Sequence, residues 1–410
     1  MKSELEQVWI TGIGIVSSLG EGAHENWVKL CHPTTCRPVI DEKTFAPYPV
    51  HPLTDLDFSR QIPRTLDLKQ MERWQRIGVY AAGLALDDAD LTGNQEILDR
   101  TDLSIAAGNG ERDVGLDARV LSAVSTSASP DSTLNRELMV GLRPTLYLGQ
   151  LSNLLAGNIS IVHKVTGSSR TFKGEEIAGV SALENAVERI EECESELILV
   201  GGAFNAERED ALLNCELGLS LYHGPFQSVW NRMSRGGGAV LGSLGAFLVL
   251  ESSKHACRRG IRPYARIGGV RSERSRRGEG QAAAALEQLF SCLRLDPTAM
   301  GLPVLSGASG VASATAEELS FLARLREDGF CPIVRAWGSV LGHSVEAHFL
   351  SGMALAAMAV RAGRFYPPFD RSPIEIPRET SPNHVLVTAV GGWRGEALGL
   401  VLSAQQGRDV

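Results

Sequence analysis

The sequence predicts an α/β protein with a mostly parallel sheet covered by helices, and two observations carry that prediction. One is local. From Glu175 the apolar residues Ile177, Val180, Leu183, Val187 and Ile190 recur every three or four positions with acidic residues outside, so an amphipathic helix runs to about Glu194. An apolar strand candidate at 196–200 follows, closed by Gly201 and Gly202. A strand, helix and strand of this length form a βαβ unit, which implies parallel strands with a covering helix. The other observation is global: strand and helix candidates alternate along the chain, and two α/β halves of comparable order can be followed, 1–252 and 253–410.

The elements follow in order. The run 8–16 is apolar, β-branched and punctuated by glycines, which predicts a buried strand ending in a loop at 17–22. Residues 76–91 place Ile77, Tyr80, Leu84 and Leu91 at helical spacing before the breaker Gly93, and 104–107 predicts a strand. In the second half, 236–250 predicts a glycine-interrupted strand pair and 251–259 a helix. Strands are expected at 264–270, 304–306, 385–390 and 397–402, and helices at 281–294, 316–327 and 343–361. The proline-rich stretch 33–63 and the serine-rich stretch 118–135 predict surface loops.

Composition narrows the function classes. The 410 residues are 43% hydrophobic and 21% charged, with formal net charge -8, which favours neither nucleic acid nor an anionic membrane. The seven cysteines are scattered, and the closest pair, Cys31 and Cys36, lacks the spacing of a zinc site, so no metal or cofactor is expected and a reduced cytoplasm is. The N-terminus turns acidic at Glu4 and Glu6 directly after Lys2, unlike a signal peptide. The uncharged stretches 144–163 and 236–250 are too polar or too short to span a bilayer, so no stable membrane insertion is expected.

Four stretches carry a resemblance. They are VWITGIGIVSSLG at 8–20, NLLAGNISIVHKVTGSSRTFKGEEIAGVSALENA at 153–186, GGGAVLGSLGAFLVLES at 236–252 and LGHSVEAHFLSGMALAAMAV at 341–360. In this order and spacing they resemble the β-ketoacyl-acyl-carrier-protein synthases, the type II condensing enzymes. The resemblance implies the thiolase-like fold, five layers αβαβα built from two similar halves. Condensation in that family needs a thiolate to accept the acyl group and two histidines beside the charge that develops on decarboxylation of the malonyl unit.

By that resemblance this chain departs at most catalytic positions. Glu176 stands where the family keeps its nucleophilic cysteine, and a carboxylate cannot carry an acyl thioester. The first histidine falls on Gly307 and the lysine on Gly338, while His343 keeps the second histidine. The glycine-rich gate loop, a substrate-binding element, retains Gly391 and Gly392. Its gating phenylalanine falls on Val390, and the polar pair after the glycines becomes Trp393 and Arg394. Cys193 and Cys215 lie away from any strand-to-helix turn that would activate a thiol.

Each residue also has a plain structural explanation. Acidic side chains in a first helical turn are favoured by about 0.3–1 kcal/mol through the unsatisfied N–H groups, so Glu176 needs no chemistry to be there. Equally, its carboxylate could face His343 or Arg394 inside the former active site. His343 without its partners fits a hydrogen-bonded structural residue as well as a residual donor. The basic run with Arg258, Arg259, Arg262, Arg271 and Arg274 offers a footprint for an acidic carrier protein, or simply a solvated surface. GERD at 110–113 and GGAFNAERED at 201–210 follow strand ends, where structural roles are the default.

The resemblance runs closest to the degenerate, synthase-like protein of systems that build very-long-chain acyl groups for lipid A, and to chain-length-factor subunits. It implies a subunit that pairs with an active β-ketoacyl synthase and works on an acyl carrier protein. Two alternatives stand beside it: a stand-alone acyl-carrier enzyme whose altered site decarboxylates malonyl-carrier protein or condenses atypically, and a non-enzymatic acyl or carrier-protein scaffold.

Overall fold

The computed structural model describes residues 6–32, 37–218, 220–297, 301–369 and 372–404; Lys2, Glu4 and Cys36 lie outside the described residues. Its strands in chain order are β1 (Val8–Val16), β2 (Val50–His51), β3 (Asp102–Ala107), β4 (Ser169–Lys173), β5 (Leu197–Phe204) and β6 (Leu241–Gly242). Then come β7 (Leu244–Ser252), β8 (Ala265–Glu273), β9 (Leu302–Ser306), β10 (Pro332–Ala336), β11 (His384–Val390) and β12 (Glu396–Leu402). Ten of them form one sheet in the order β10-β9-β11-β12-β8-β1-β7-β5-β3-β4, and β2 pairs with β6.

That order contains the same five-strand pattern twice. β1 pairs antiparallel with β7, β7 antiparallel with β5, and β5, β3 and β4 run parallel. Likewise β8 pairs antiparallel with β12, β12 antiparallel with β11, and β11, β9 and β10 run parallel. The two sets meet where β1 pairs with β8 through Trp9, Ile10, Ala265 and Arg266.

Alternation along the strands builds the layers. In β7, Leu244, Ala246, Leu248 and Leu250 point into the central core while Phe247 and Val249 point to an outer one. In β11, Val385, Val387 and Ala389 point inward while Leu386 and Val390 face the other outer core. The Glu175–Glu191 and His348–Ala362 helices fill the middle, packed on each other and on strands of both sets. The Arg73–Asp88 helix covers one outside, and the Gln281–Cys292 and Ala312–Glu327 helices cover the other. The result is the five-layer αβαβα arrangement. No helix among the described residues is long and apolar enough to cross a membrane.

Three expectations need correction, and two strands were not foreseen. The serine-rich stretch 118–135 is not a loop: it lies within the helices Val114–Ser125 and Pro130–Gly141, started by Asp113, whose side chain accepts the Leu116 N–H, and by Pro130 in the first turn. Gly201 and Gly202 do not end their strand, which continues to Phe204. A Cβ on Gly201 would stand 2.2 Å from the Phe247 ring, so the glycine serves close packing rather than a turn. The helix expected from His343 begins at His348, because a 3₁₀ turn at Val345–Ala347 intervenes. The polar edge strand β4 and the short β10, which carries buried Arg335, have no apolar run to betray them.

Candidate active site

The site is organised by the turn between β4 and the central Glu175–Glu191 helix. Gly174 has φ 132° and Glu175 φ 43°, so the chain reverses through two left-handed residues in succession. A non-glycine residue held there is strained, a condition that persists where surrounding structure over-determines it and that collects at functional sites. Sharp strand-to-helix turns of this kind present nucleophiles in α/β enzymes. Here the side chain presented is Glu176, and no cysteine stands at the apex.

Glu176 is not solvated there. Its Oε1 accepts the backbone N–H of Gly392 at 3.1 Å and lies 3.1 Å from His343 Nε2, which must donate. Burial pushes the carboxyl up, but the His343 hydrogen bond and charge, with the Gly392 N–H, outweigh it and hold the group below the ordinary glutamate range. His343 is fixed from its main chain, whose N–H donates to Val240 O at 2.8 Å and whose carbonyl accepts from Gly242 at 3.0 Å. Gly342 permits this: at φ 76° it passes so close to β6 and His51 that a Cβ would lie 2.7 Å from each.

At 307 there is no room for a histidine. A Cβ on Gly307 would stand 2.4 Å from Thr388 O and 3.1 Å from the Trp337 ring. Trp337 in turn stacks on His348 at 4.6 Å between centroids, and His348 lies 4.5 Å from His343. His348 Nε2 donates to the Gly307 carbonyl at 3.2 Å, and burial and the His343 charge hold its pKa well below the usual value, so the ring is neutral. Space that a residue 307 side chain would use is therefore taken by Trp337, with His348 behind it. At Gly338 a Cβ would be 3.2 Å from Ala308 O, a tight but adjustable contact.

The loop 390–395, expected from the resemblance to be the gate, is tied down. Gly391 N–H donates to Gly395 O at 2.8 Å, and Arg277 donates to Gly391 O at 2.6 Å and Trp393 O at 3.1 Å while pairing with buried Glu396 at 2.8 Å. Val390 is buried, and Trp393, though largely exposed, rests on the helix end at Gly218. Arg394 is exposed and forms no ion pair with Glu176, so of the two partners considered for that carboxylate only His343 is taken up.

The sequence model of the family described as Beta-ketoacyl synthase, N-terminal domain, matches residues 5–256. The chain belongs to the β-ketoacyl synthase family. Among its relatives, 3-oxoacyl-[acyl-carrier-protein] synthase 2 of Vibrio harveyi is 25% identical over 83% of this chain and 82% of its own. Among solved structures, the ishigamide ketosynthase/chain length factor superposes with TM-score 0.78 at 20% identity, covering 97% of this chain and 99% of that one. A type II polyketide acyl-carrier protein in complex with its ketosynthase bound to the hexaketide gives TM-score 0.75 at 16% identity, over 98% and 100%. The fold is that of the ketosynthases.

Against that family background, two residues that sequence reasoning did not place in the site border it. Cys215, on the Glu209–Leu217 helix, senses the charges of Glu176 and Glu346; burial and those carboxylates push its thiol up to about 11, the opposite of activation. Glu346 is buried, and burial with the Glu176 charge lifts it to about 7. Its one mark in the sequence is that it is the single acidic residue within 341–360.

The basic run divides by role. Arg259 is largely buried against Glu251, and Arg258 forms an exposed pair with Glu196 at 2.5 Å. Arg271 turns back on Val270 O, while Arg262 and Arg274 are exposed. In GERD and GGAFNAERED, Glu111 accepts the Trp74 N–H and Asn205, and Glu207 accepts Leu53 N–H and pairs with Arg73, which are structural duties.

Proposed function

We propose that this chain is the catalytically degenerate member of a synthase pair: it docks on an active β-ketoacyl synthase and helps shape the acyl tunnel during elongation of fatty acyl groups, very-long-chain ones included, on an acyl carrier protein. The observation that carries this reading is the carboxylate of Glu176 at the turn apex, hydrogen-bonded on both sides and unable to form a thioester. Gly307, crowded by Trp337, leaves that position without an imidazole, and Gly338 lacks the lysine. His343, bound to Glu176, then serves as a structural donor.

A partner is supported by what the fold leaves uncovered. Met139 (86% exposed), Val140 (83%) and Tyr147 project from the 114–163 excursion, and Leu213 and Leu217 from the Glu209–Leu217 helix. β4 is an outer strand of the sheet with free pairing capacity along one side. Large apolar exposure and an open edge are features that soluble chains cover with a partner. Exposed Arg262 and Arg274, with Arg258 and Arg271, would add attraction for an acidic carrier protein.

The test is co-expression with intact β-ketoacyl synthases, followed by native mass measurement and analysis of the acyl products. A heterodimer whose products differ in length from those of the synthase alone is expected. A stable homodimer that leaves every product distribution unchanged would refute the pairing.

A further inference from the structure

We propose that Glu346 is a plug: its carboxyl closes, from within this chain, the slot behind the Glu176 turn into which an acyl chain would extend. The proposal deepens the reading above and rests on it only in taking an acyl group as the ligand class.

The slot has a volume of about 110 Å³, and its walls mix Trp74, Phe204 and Cys215 with the polar Asn109, Asn205 and Arg208; the charge of Glu176 reaches Cys215 and Glu346 there. That volume is below the ~300–1,000 Å³ of pockets that enclose sizeable ligands. Glu346 takes up the missing room. Its Oε1 lies so close to the Gly108 backbone that even a Cβ there would be 2.0 Å from it.

The chain is bent to put the carboxyl in that place. Val345 has φ 37°, a conformation that a β-branched residue adopts only when forced. Gly179 on the central helix lets this turn approach, since a Cβ on it would stand 2.4 Å from the Glu346 carbonyl. The groups acting on the carboxyl are Glu176 and Glu175, which oppose its ionisation, and Arg208, which favours it; among the described residues it forms no ion pair. A buried acid without an ion pair is a poor way to gain stability, where an apolar side chain of similar volume would serve better. Backbone strain at Val345 and desolvation of the adjoining Glu346, accepted together, point to a steric and polar barrier as the purpose of this turn.

The experiment uses the purified full chain and an unreactive probe, dodecanoyl-pantetheine amide, with binding read by calorimetry. Wild type and Glu346→Gln, which keeps the volume, should show no saturable binding. Glu346→Gly and Glu346→Ala should bind, with affinity rising about tenfold for every two methylenes admitted. The plug is refuted if wild type binds the probe as tightly as Glu346→Gly. It is also refuted if both small variants, folded by circular dichroism, gain nothing. Native mass of the same variants with a co-expressed synthase reads pairing separately: a gain of probe binding without pairing keeps the plug and removes the heterodimer, and the converse removes the plug alone.

Discussion

Glu176 and His343 share a hydrogen bond of 3.1 Å at the apex of the β4-to-helix turn, and the same carboxylate oxygen accepts the Gly392 N–H at 3.1 Å. One side chain thus fastens three segments that are distant in sequence: the central helix, the histidine loop and the gate loop.

Removing the fastener should be costly. Glu176→Ala leaves His343 Nε2 and the Gly392 N–H without their acceptor, which predicts a loss of about 1–3 kcal/mol. Urea unfolding of the two proteins measures it, and faster amide exchange at Gly392 should accompany the loss.

Restoring sulfur should not restore condensation. Glu176→Cys supplies a thiol, but Gly307 offers no imidazole and a histidine there would collide with Thr388 O and Trp337. Purified Glu176→Cys is therefore expected to elongate acyl-carrier protein no faster than background, read by mass spectrometry of the carrier. Gly307→His should lower stability by about 1–3 kcal/mol through overpacking, seen as a drop in Tm.

Ionised Glu176 also bears on the malonyl unit. Its pKa lies below the ordinary value, so it is ionised at neutral pH and would repel a malonyl carboxylate brought beside it. Release of labelled carbon dioxide from malonyl-carrier protein by the wild-type chain should equal the buffer rate. Release above it would favour the stand-alone decarboxylase.

How much of this was readable beforehand follows from where side chains face. Buried strands such as β1 and β7 announce themselves because apolar residues continue along them, and the central helix because Ile177, Val180, Leu183, Val187 and Ile190 form one buried stripe. Glu176 could be placed because the stretch 153–186 resembles the nucleophile segment of the β-ketoacyl synthases, with Glu176 in the cysteine's position. His348, Trp337 and Glu346 escaped notice because their roles arise from contacts with Gly307 and Gly108, far away in the chain. The edge strand β4 escaped because a half-exposed strand of Ser, Arg, Thr, Phe and Lys carries no apolar alternation.

Arg277 is predicted to hold the gate loop. It pairs with Glu396, whose side chain is fully buried, and bonds the carbonyls of Gly391 and Trp393. Arg277→Ala would strand that carboxylate with only the Ser275 donors. A cost of about 3 kcal/mol is expected, at the low end for a broken buried pair because Arg277 is partly solvated. Hydrogen exchange at 391–395 should quicken while exchange in β1 and β7 stays as in wild type.

The two carboxyls of the site make opposite contributions with pH, which separates them. Glu176 has a lowered pKa, so its stabilisation is present above about 4.5 and is lost as pH falls through the lowered value. Glu346 is raised from 4.5 to about 7. Between those values the folded chain keeps a proton that the unfolded chain has released, so stability falls as pH rises from about 4.5 to 7 and levels off above. Every tenfold change in acidity between the folded and unfolded chain is worth about 1.4 kcal/mol. Glu346→Gln deletes this titration while leaving Glu176 in place. Measured by urea unfolding from pH 5 to 8, the variant should gain on wild type by up to about 3 kcal/mol, with the gain growing through the window and flattening near pH 8. A constant difference across the window would mean that Glu346 is already ionised in the fold, and that its carboxyl does not sit in the dry slot.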